Sequence, residues 1–212
     1  MVSAKSAYLI LYNLASAAGW AAILFLAVQH RLADKPAKAL WSSIDLLLTV
    51  TQTAAFMEIV HSLVGLVSSP VVTVTLQVSS RLLLVWAYTR VFVQSQADWS
   101  LYLMVISWAC VEVPRYLFYV FKELPGGRVP YPLFWLRYSL FMVLYPTGIS
   151  GELLQMWAST AVTSKVLPTP VYYYLTLGVF AVYALGSPYM ILSMWKNRVR
   201  EFKKLRDAKK KN

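Results

Sequence analysis

With 212 residues, of which 58 % are apolar, 15 % aromatic and only 14 % charged, the chain has too little polar side-chain material to cover a water-soluble globule of its size, so its solvent is lipid. The formal charge of +11 does not argue for a nucleic-acid partner: residues 196–212 hold nine Lys or Arg against Glu201 and Asp207 and carry +7 of the total, with no folded basic domain beside them. A single cysteine, Cys110, excludes an intrachain disulfide framework and leaves redox or zinc chemistry without a ligand set.

The apolar residues come in runs of roughly twenty without the polar stripe of a surface helix, the length that a bilayer core about 30 Å thick demands. The first run, 8–29, is longer than the roughly 7 to 15 residues of a signal-peptide core and lacks a convincing cleavage site, so it reads as a retained helix. The polar stretch HRLADKPAKALWSS, with Pro36, ends it. A second helix is expected over 44–67, where Ser68, Ser69 and Pro70 turn the chain into a third over 71–93. The fourth takes 101–121 and carries Cys110 as a small buried hydrophobe. KELPGGRVPYP follows, with two Gly and three Pro in eleven residues, the clearest loop in the chain. A fifth helix is expected over 133–162, kinked at 146–148 by Pro146 and Gly148, and a sixth over 171–195 before a basic tail, 196–212. No internal repeat or second domain is visible, so 1–195 reads as one all-α, six-helix transmembrane bundle.

Six spans put both termini on one side, and the positive-inside bias puts that side in the cytoplasm. It collects Lys5, Lys122, Arg128, Arg137 and the nine tail residues, thirteen against five (Arg31, Lys35, Lys38, Arg90, Lys165) on the other face. Without the tail the count is four against five, so charge alone leaves five- and seven-span arrangements open.

An ionisable group inside a span costs several kcal/mol by most measures and usually faces the bundle interior or a wet cavity. Asp45, Glu58, His61, Arg81, Glu112, Arg115 and Glu152 fall inside spans, Asp45 and Arg81 near enough to helix ends to snorkel. Glu58 and His61, and Glu112 and Arg115, are three apart, so each pair shares a helix face; Glu112 with Arg115 reads as a satisfied internal pair. Glu58-x-x-His61 is half of a di-iron carboxylate motif, and the chain holds no second copy. In RYSLFMVLYPTGISGE, Arg137 to Glu152, Tyr145 and Glu152 are seven apart and share a face about 10.5 Å apart along an ideal helix. A Pro146–Gly148 kink would shorten that distance and open a pocket.

The residues from Leu136 to Glu152 are similar to the signature of the 3-hydroxyacyl-CoA dehydratase family, also called the protein-tyrosine-phosphatase-like family, nearest to its PASTICCINO2-type plant members. LYNLASAAGW, QTAAFMEIVHSLVGLVSSP, QVSSRLLLVW, SWACVEVPRYLFY and GSPYM extend the resemblance over most of the chain. It implies a six-span enzyme of the endoplasmic-reticulum membrane with cytoplasmic termini. Such an enzyme dehydrates very-long-chain (3R)-3-hydroxyacyl-CoA to the trans-2-enoyl-CoA, the third step of fatty-acid elongation, without cofactor or metal. It works beside a condensing enzyme and reductases. The family's catalytic pair falls on Tyr145 and Glu152. Arg137 and Tyr138 then become candidates for binding substrate or supporting the pocket, with Arg81, Glu112, Arg115 and Tyr116 behind them. Elimination of water needs a base for the thioester-acidified α-proton and an acid for the departing hydroxyl, tasks a tyrosine and a carboxyl group share; the favoured division makes Glu152 the base and Tyr145 the acid, and either order satisfies the sequence.

The acyl chain is expected to enter the bundle while CoA stays at the cytoplasmic headgroups, near Lys122, Arg128 and the tail, which also serve as ordinary positive-inside anchors. Where relatives carry a run such as TEIIRY, this chain reads VEVPRY, and Pro114 is expected to bend the fourth helix. Cys110 and Arg115 have four residues between them and no glycine-rich phosphate loop, which argues against phosphatase chemistry. The terminal KKKN resembles a dilysine retrieval signal. Rival readings are a catalytically silent membrane scaffold, against which both Tyr145 and Glu152 speak, and a small transporter, for which no internal repeat is visible.

Overall fold

The computed structural model describes residues 3–166 and 171–211, and among these the chain is helical without a strand. Met1, Val2, residues 167–170, Asn212 and the side chains of Ala161, Thr163, Ser164, Lys165, Val166, Val171, Tyr172, Lys209 and Lys211 lie outside the described residues, and with them most of the KKKN run and the turn before the sixth span.

The first helix, α1 (Ala4–Leu32), opens on Ser3, whose hydroxyl accepts the Ser6 amide at 3.1 Å. It is followed by Asp34 at φ 50°, a left-handed turn position that Asp tolerates better than most residues. The polar stretch expected to be a linker is helical from Ala37. Pro36 sets the φ of −66° at the entry, and Ser42 and Ser43 return their hydroxyls to the Lys38 and Ala39 carbonyls at 3.0 Å, so their polarity is absorbed within the helix. The second span is therefore α2 (Ala37–Ala54) continued by α3 (Phe56–Leu63), with a break at Ala55.

The third span starts after Pro70 as expected. Its α4 (Val71–Leu83) passes into a π-helical turn, Leu84–Thr89, marked by the Arg90 N–H on the Val85 carbonyl five residues back at 3.0 Å. It ends at Thr89, before the expected 93, and a short α5 (Val93–Ala97) follows. The fourth span, α6 (Ser100–Glu123), stays helical through Pro114, and Gly126 and Gly127, at φ 86° and 56°, turn the loop that follows.

The fifth span departs from expectation. It is α7 (Tyr131–Ser139) and α8 (Phe141–Val166), with the interruption at Leu140 and continuous helix through Pro146 and Gly148. Gly148 and Gly151 serve packing instead. A Cβ on Gly148 would stand 3.6 Å from Ser107 Cβ, and one on Gly151 only 2.7 Å from the Met104 backbone nitrogen. The last helix, α9 (Val171–Lys211), runs through Pro188 and past 195, so the basic residues extend the same rod.

At the centre stands α6, packed against α1 and α8, with α2 on the other side of α1 and α9 against α8. The core joins Trp20 and Ile23 of α1, Leu40, Ile44 and Leu48 of α2, and Leu101, Met104, Val105, Trp108 and Tyr116 of α6. In lipid no hydrophobic drive pulls helices together, so the contact of α6 with α8 depends on close fit at small residues. Among the described residues, five helices are long and apolar enough to cross a membrane: Ala4–Leu32, Ala37–Leu63, Val71–Thr89, Ser100–Glu123 and Tyr173–Ala208. Residues of α4 and α9 line a large cavity.

Candidate active site

Tyr145 and Glu152 both line this cavity of about 2290 Å³, which runs between α1, α3, α4, α6, α7, α8 and α9. Their seven-residue spacing along the continuous helix of α8 corresponds to about 10.5 Å of axial rise. What converges on them is α9. The Tyr183 hydroxyl donates to Glu152 Oε2 at 2.6 Å, and one turn on, Ser187 meets the Tyr145 hydroxyl. From α6, Trp108 Nε1 donates to Glu152 Oε1 at 2.7 Å.

Glu152 is only 7 % exposed, so its two oxygens depend on these partners. An indole N–H can donate but never accept. Oε1 is thereby committed as an acceptor, and a proton taken up by this carboxyl goes on Oε2, facing Tyr183. Two different donors thus give the two oxygens different work.

Beside this pair lies a buried ionic network. Arg115 grips both oxygens of Glu58 with Nη1 and Nη2 at 2.8 and 2.7 Å and reaches Glu112 Oε2 with Nε at 2.6 Å. The other oxygen of Glu112 takes Arg81, and the Tyr116 hydroxyl donates to Glu58. Two carboxylates and two guanidiniums make the set neutral, and it ties α3, α4 and α6 together. The Arg81 guanidinium lies 5.2 Å from the Trp108 ring centroid, close enough for its charge to act on Glu152.

The expected Glu112–Arg115 pair is present as part of this larger set. Arg81 does not snorkel: it is turned inward onto a Glu112 side chain only 4 % exposed. Asp45 is paired with Arg90 at 3.5 Å. Glu58 and His61 share a face without pairing, since the forked guanidinium of Arg115 offers Glu58 two parallel bonds. His61 shares a hydrogen bond with the Tyr8 hydroxyl at 2.8 Å.

Arg137 and Tyr138 line the cavity further along. Arg137 Nη2 donates to the Tyr119 hydroxyl at 3.2 Å, and its guanidinium lies 5.7 Å from the centroids of both the Tyr119 and Tyr138 rings. Tyr138 also packs on Phe134 and Phe118 at 4.8 and 5.7 Å. The eight residues singled out from the sequence therefore border one cavity.

Trp108, Tyr183, Ser187 and Glu58 were not singled out as site residues. Tyr183 and Ser187 stand four apart in an apolar helix, a polar pair on one face that periodicity could have flagged. Nothing local marks Trp108, whose importance depends on which helix packs beside it. Cys110 does not line the cavity, and the stretch from Cys110 to Arg115 is α-helix, with Arg115 held by two carboxylates; no loop is there to cradle a phosphate.

The family described as protein tyrosine phosphatase-like protein, PTPLA, matches residues 52–204. Very-long-chain (3R)-3-hydroxyacyl-CoA dehydratase 2 of Homo sapiens is 43 % identical over 154 residues, which cover 73 % of this chain and 60 % of that protein. The chain thus spans less than two thirds of this relative's length. The PASTICCINO 2 dehydratase of Arabidopsis thaliana is 37 % identical over 211 residues, covering 94 % of this chain and 95 % of the relative. PASTICCINO 2A of Oryza sativa subsp. japonica is 38 % identical over 212 residues, with 95 % of each covered. No solved structure matches the chain. The matched region takes in the ionic network, the Tyr145–Glu152 face and the Tyr183 contact, and with more than half of its length matched, the chain belongs to the protein tyrosine phosphatase-like family.

Proposed function

We propose that this chain is a very-long-chain (3R)-3-hydroxyacyl-CoA dehydratase of the fatty-acid elongation cycle, a multi-pass protein of the endoplasmic-reticulum membrane with six spans and cytoplasmic termini. The observation that carries the reading is the buried carboxyl of Glu152, held by Trp108 and Tyr183 in the same cavity as the Tyr145 hydroxyl. The relatives' names supply the substrate class. α8 provides the sixth span, adding to the five helices that are apolar enough by composition.

In this reading Glu152 Oε2 removes the α-proton, and the freed C–H electron pair becomes the new carbon–carbon double bond. The carbon–oxygen bond at C3 breaks, and the hydroxyl takes the proton of Tyr145 to leave as water. Exchange of one proton from Glu152 to the tyrosinate restores both groups. Tyr183 stabilises the Glu152 carboxylate before the transfer and accepts from Oε2 after it. Arg81, neutralised on one side by Glu112, keeps a positive field near the enolate-like charge that develops on the thioester. The condensing enzyme and reductases are the expected neighbours, and no cofactor takes part in the elimination.

The test is conversion of a long-chain (3R)-3-hydroxyacyl-CoA to the 2-enoyl-CoA by purified protein in detergent, beside Tyr145→Phe and Glu152→Ala variants checked for folding. Turnover by the wild type with losses of orders of magnitude in both variants supports the reading. A folded wild type that is inactive at every chain length sinks it and leaves a membrane scaffold.

A further inference from the structure

The basic segment after 195 is a continuation of α9, and its charges fall on two faces. Lys196, Arg200 and Lys204, spaced i, i+4 and i+8, line the same cavity as Glu152. Arg198, Lys203 and Arg206 line a separate shallow groove with Tyr131 and Phe202. The cavity-facing row is joined there by Lys5 at the start of α1, Lys122 near the end of α6 and Arg137 of α7, so cations from four helices border the cavity, against Glu123 and Glu201. Glu201 accepts Lys204 at 2.8 Å and Arg200 at 3.3 Å, and Arg200 also donates to Asn197 at 2.6 Å. One carboxylate shared by two cations leaves net positive charge along this row.

An anchor for headgroups has no reason to border the chamber that holds the buried carboxyl. We propose that the Lys196, Arg200 and Lys204 face of α9, with Lys122, binds the phosphates of the substrate's CoA moiety; this rests on the dehydratase reading of the cavity. Along α9, Tyr183 and Lys196 are thirteen residues and so about 20 Å apart. The pantetheine arm, about twelve bonds from sulfur to the first phosphate oxygen, reaches about 14 Å at the 3.4 Å per three bonds of an extended chain. A lysine side chain covers the remainder. Lys196 therefore meets the pyrophosphate when the thioester is at Glu152, and Arg200 and Lys204, one and two turns further out, meet the adenosine phosphate. An arginine's fork and mobile lysine ammoniums suit such oxygens.

The experiment compares two thioesters of one 3-hydroxy acid, the CoA form and the phosphate-free pantetheine form, in detergent micelles with and without anionic phospholipid. The proteins are wild type, Lys196→Gln/Arg200→Gln/Lys204→Gln, and a Lys203→Gln/Arg206→Gln control from the other face. The expected result is a KM for the CoA thioester raised about tenfold or more in the triple variant, with the pantetheine thioester and the control variant unchanged. The wild-type KM for the CoA form should also climb with salt, and that of the triple variant should climb less. An unchanged KM for the CoA form overturns the proposal, as does an equal loss on both thioesters, which would mean a structural role. A loss seen only with anionic lipid present assigns the row to headgroup phosphates and also overturns it. Wild type inactive on both thioesters is instead the failure of the dehydratase reading, and the proposal falls with it.

Discussion

Tyr183 on α9 reaches Glu152 on α8 with a 2.6 Å hydrogen bond to Oε2, while Trp108 occupies Oε1. Hydrogen bonds to a charged group are worth about 1.5–3 kcal/mol, so Tyr183→Phe should lower kcat by about 10- to 150-fold. KM should change little, because the phenol touches the carboxyl and not the CoA. Steady-state kinetics on the purified variant check this; a raised KM with intact kcat would instead make Tyr183 a wall of the binding cavity.

Gly151 and Gly178 should respond oppositely to alanine. A Cβ at Gly151 would sit 2.7 Å from Met104 N and 2.9 Å from its Cα, so Gly151→Ala must push α8 off α6, at a cost of about 1–3 kcal/mol. A Cβ at Gly178 meets nothing within 4 Å, and Gly178→Ala is expected to be neutral. Thermal unfolding in detergent should show a lowered midpoint only for the first.

Removing one carboxylate from the buried network should cost more than removing a matched pair. Glu112→Gln takes from Arg81 its carboxylate and leaves Arg115 with Glu58 alone, and is expected to destabilise the fold by about 3–5 kcal/mol. Adding Arg81→Gln restores the charge balance, so the double variant should lose less than the sum of the two single losses. Denaturant or thermal unfolding of the four proteins gives the coupling directly.

Six spans require the ends of the chain on one side and the α1–α2 turn on the other. In a Cys110→Ser background, cysteines placed at Ser3 and Asp207 should react with a membrane-impermeant thiol reagent from the cytoplasmic side of sealed vesicles. One placed at Asp34 should react only from the opposite side. Labelling of Ser3 and Asp207 positions from different sides would rule out an even number of spans.

Length and apolarity made most of the helices legible before any coordinates, because lipid admits little besides helix and a span must be about twenty residues long. The Tyr145–Glu152 face was legible from spacing and resemblance. The joints were not. The interruption at Leu140, six residues before Pro146, carries no local mark in the sequence. Pro36 was read as a terminator of one helix when it also starts the next. Glu58 was weighed against His61 on its own helix, while its partner, Arg115, comes from a helix that no local pattern identifies. Trp108 and Tyr183 were hidden for the same reason: each acts across a helix pair, and pairings are a property of the bundle.

The π turn at Leu84–Thr89 gives the third span one residue more than an α-helix of the same height would hold. Before it, Arg81 faces Glu112 and the cavity; at its end, Thr89 is buried against Gln155 of α8, and Tyr88 bonds Thr176 of α9. Each residue turns an α-helix by about 100°, so closing this turn to ordinary α-helix without shortening the chain would swing one half of the span by that angle against the other. Either Arg81 would leave its carboxylate or Tyr88 and Thr89 would leave their partners on α9 and α8. The surplus residue is a phase shifter: it lets a single rod present a charged face at one depth of the membrane and a docking face, pointed elsewhere, at another.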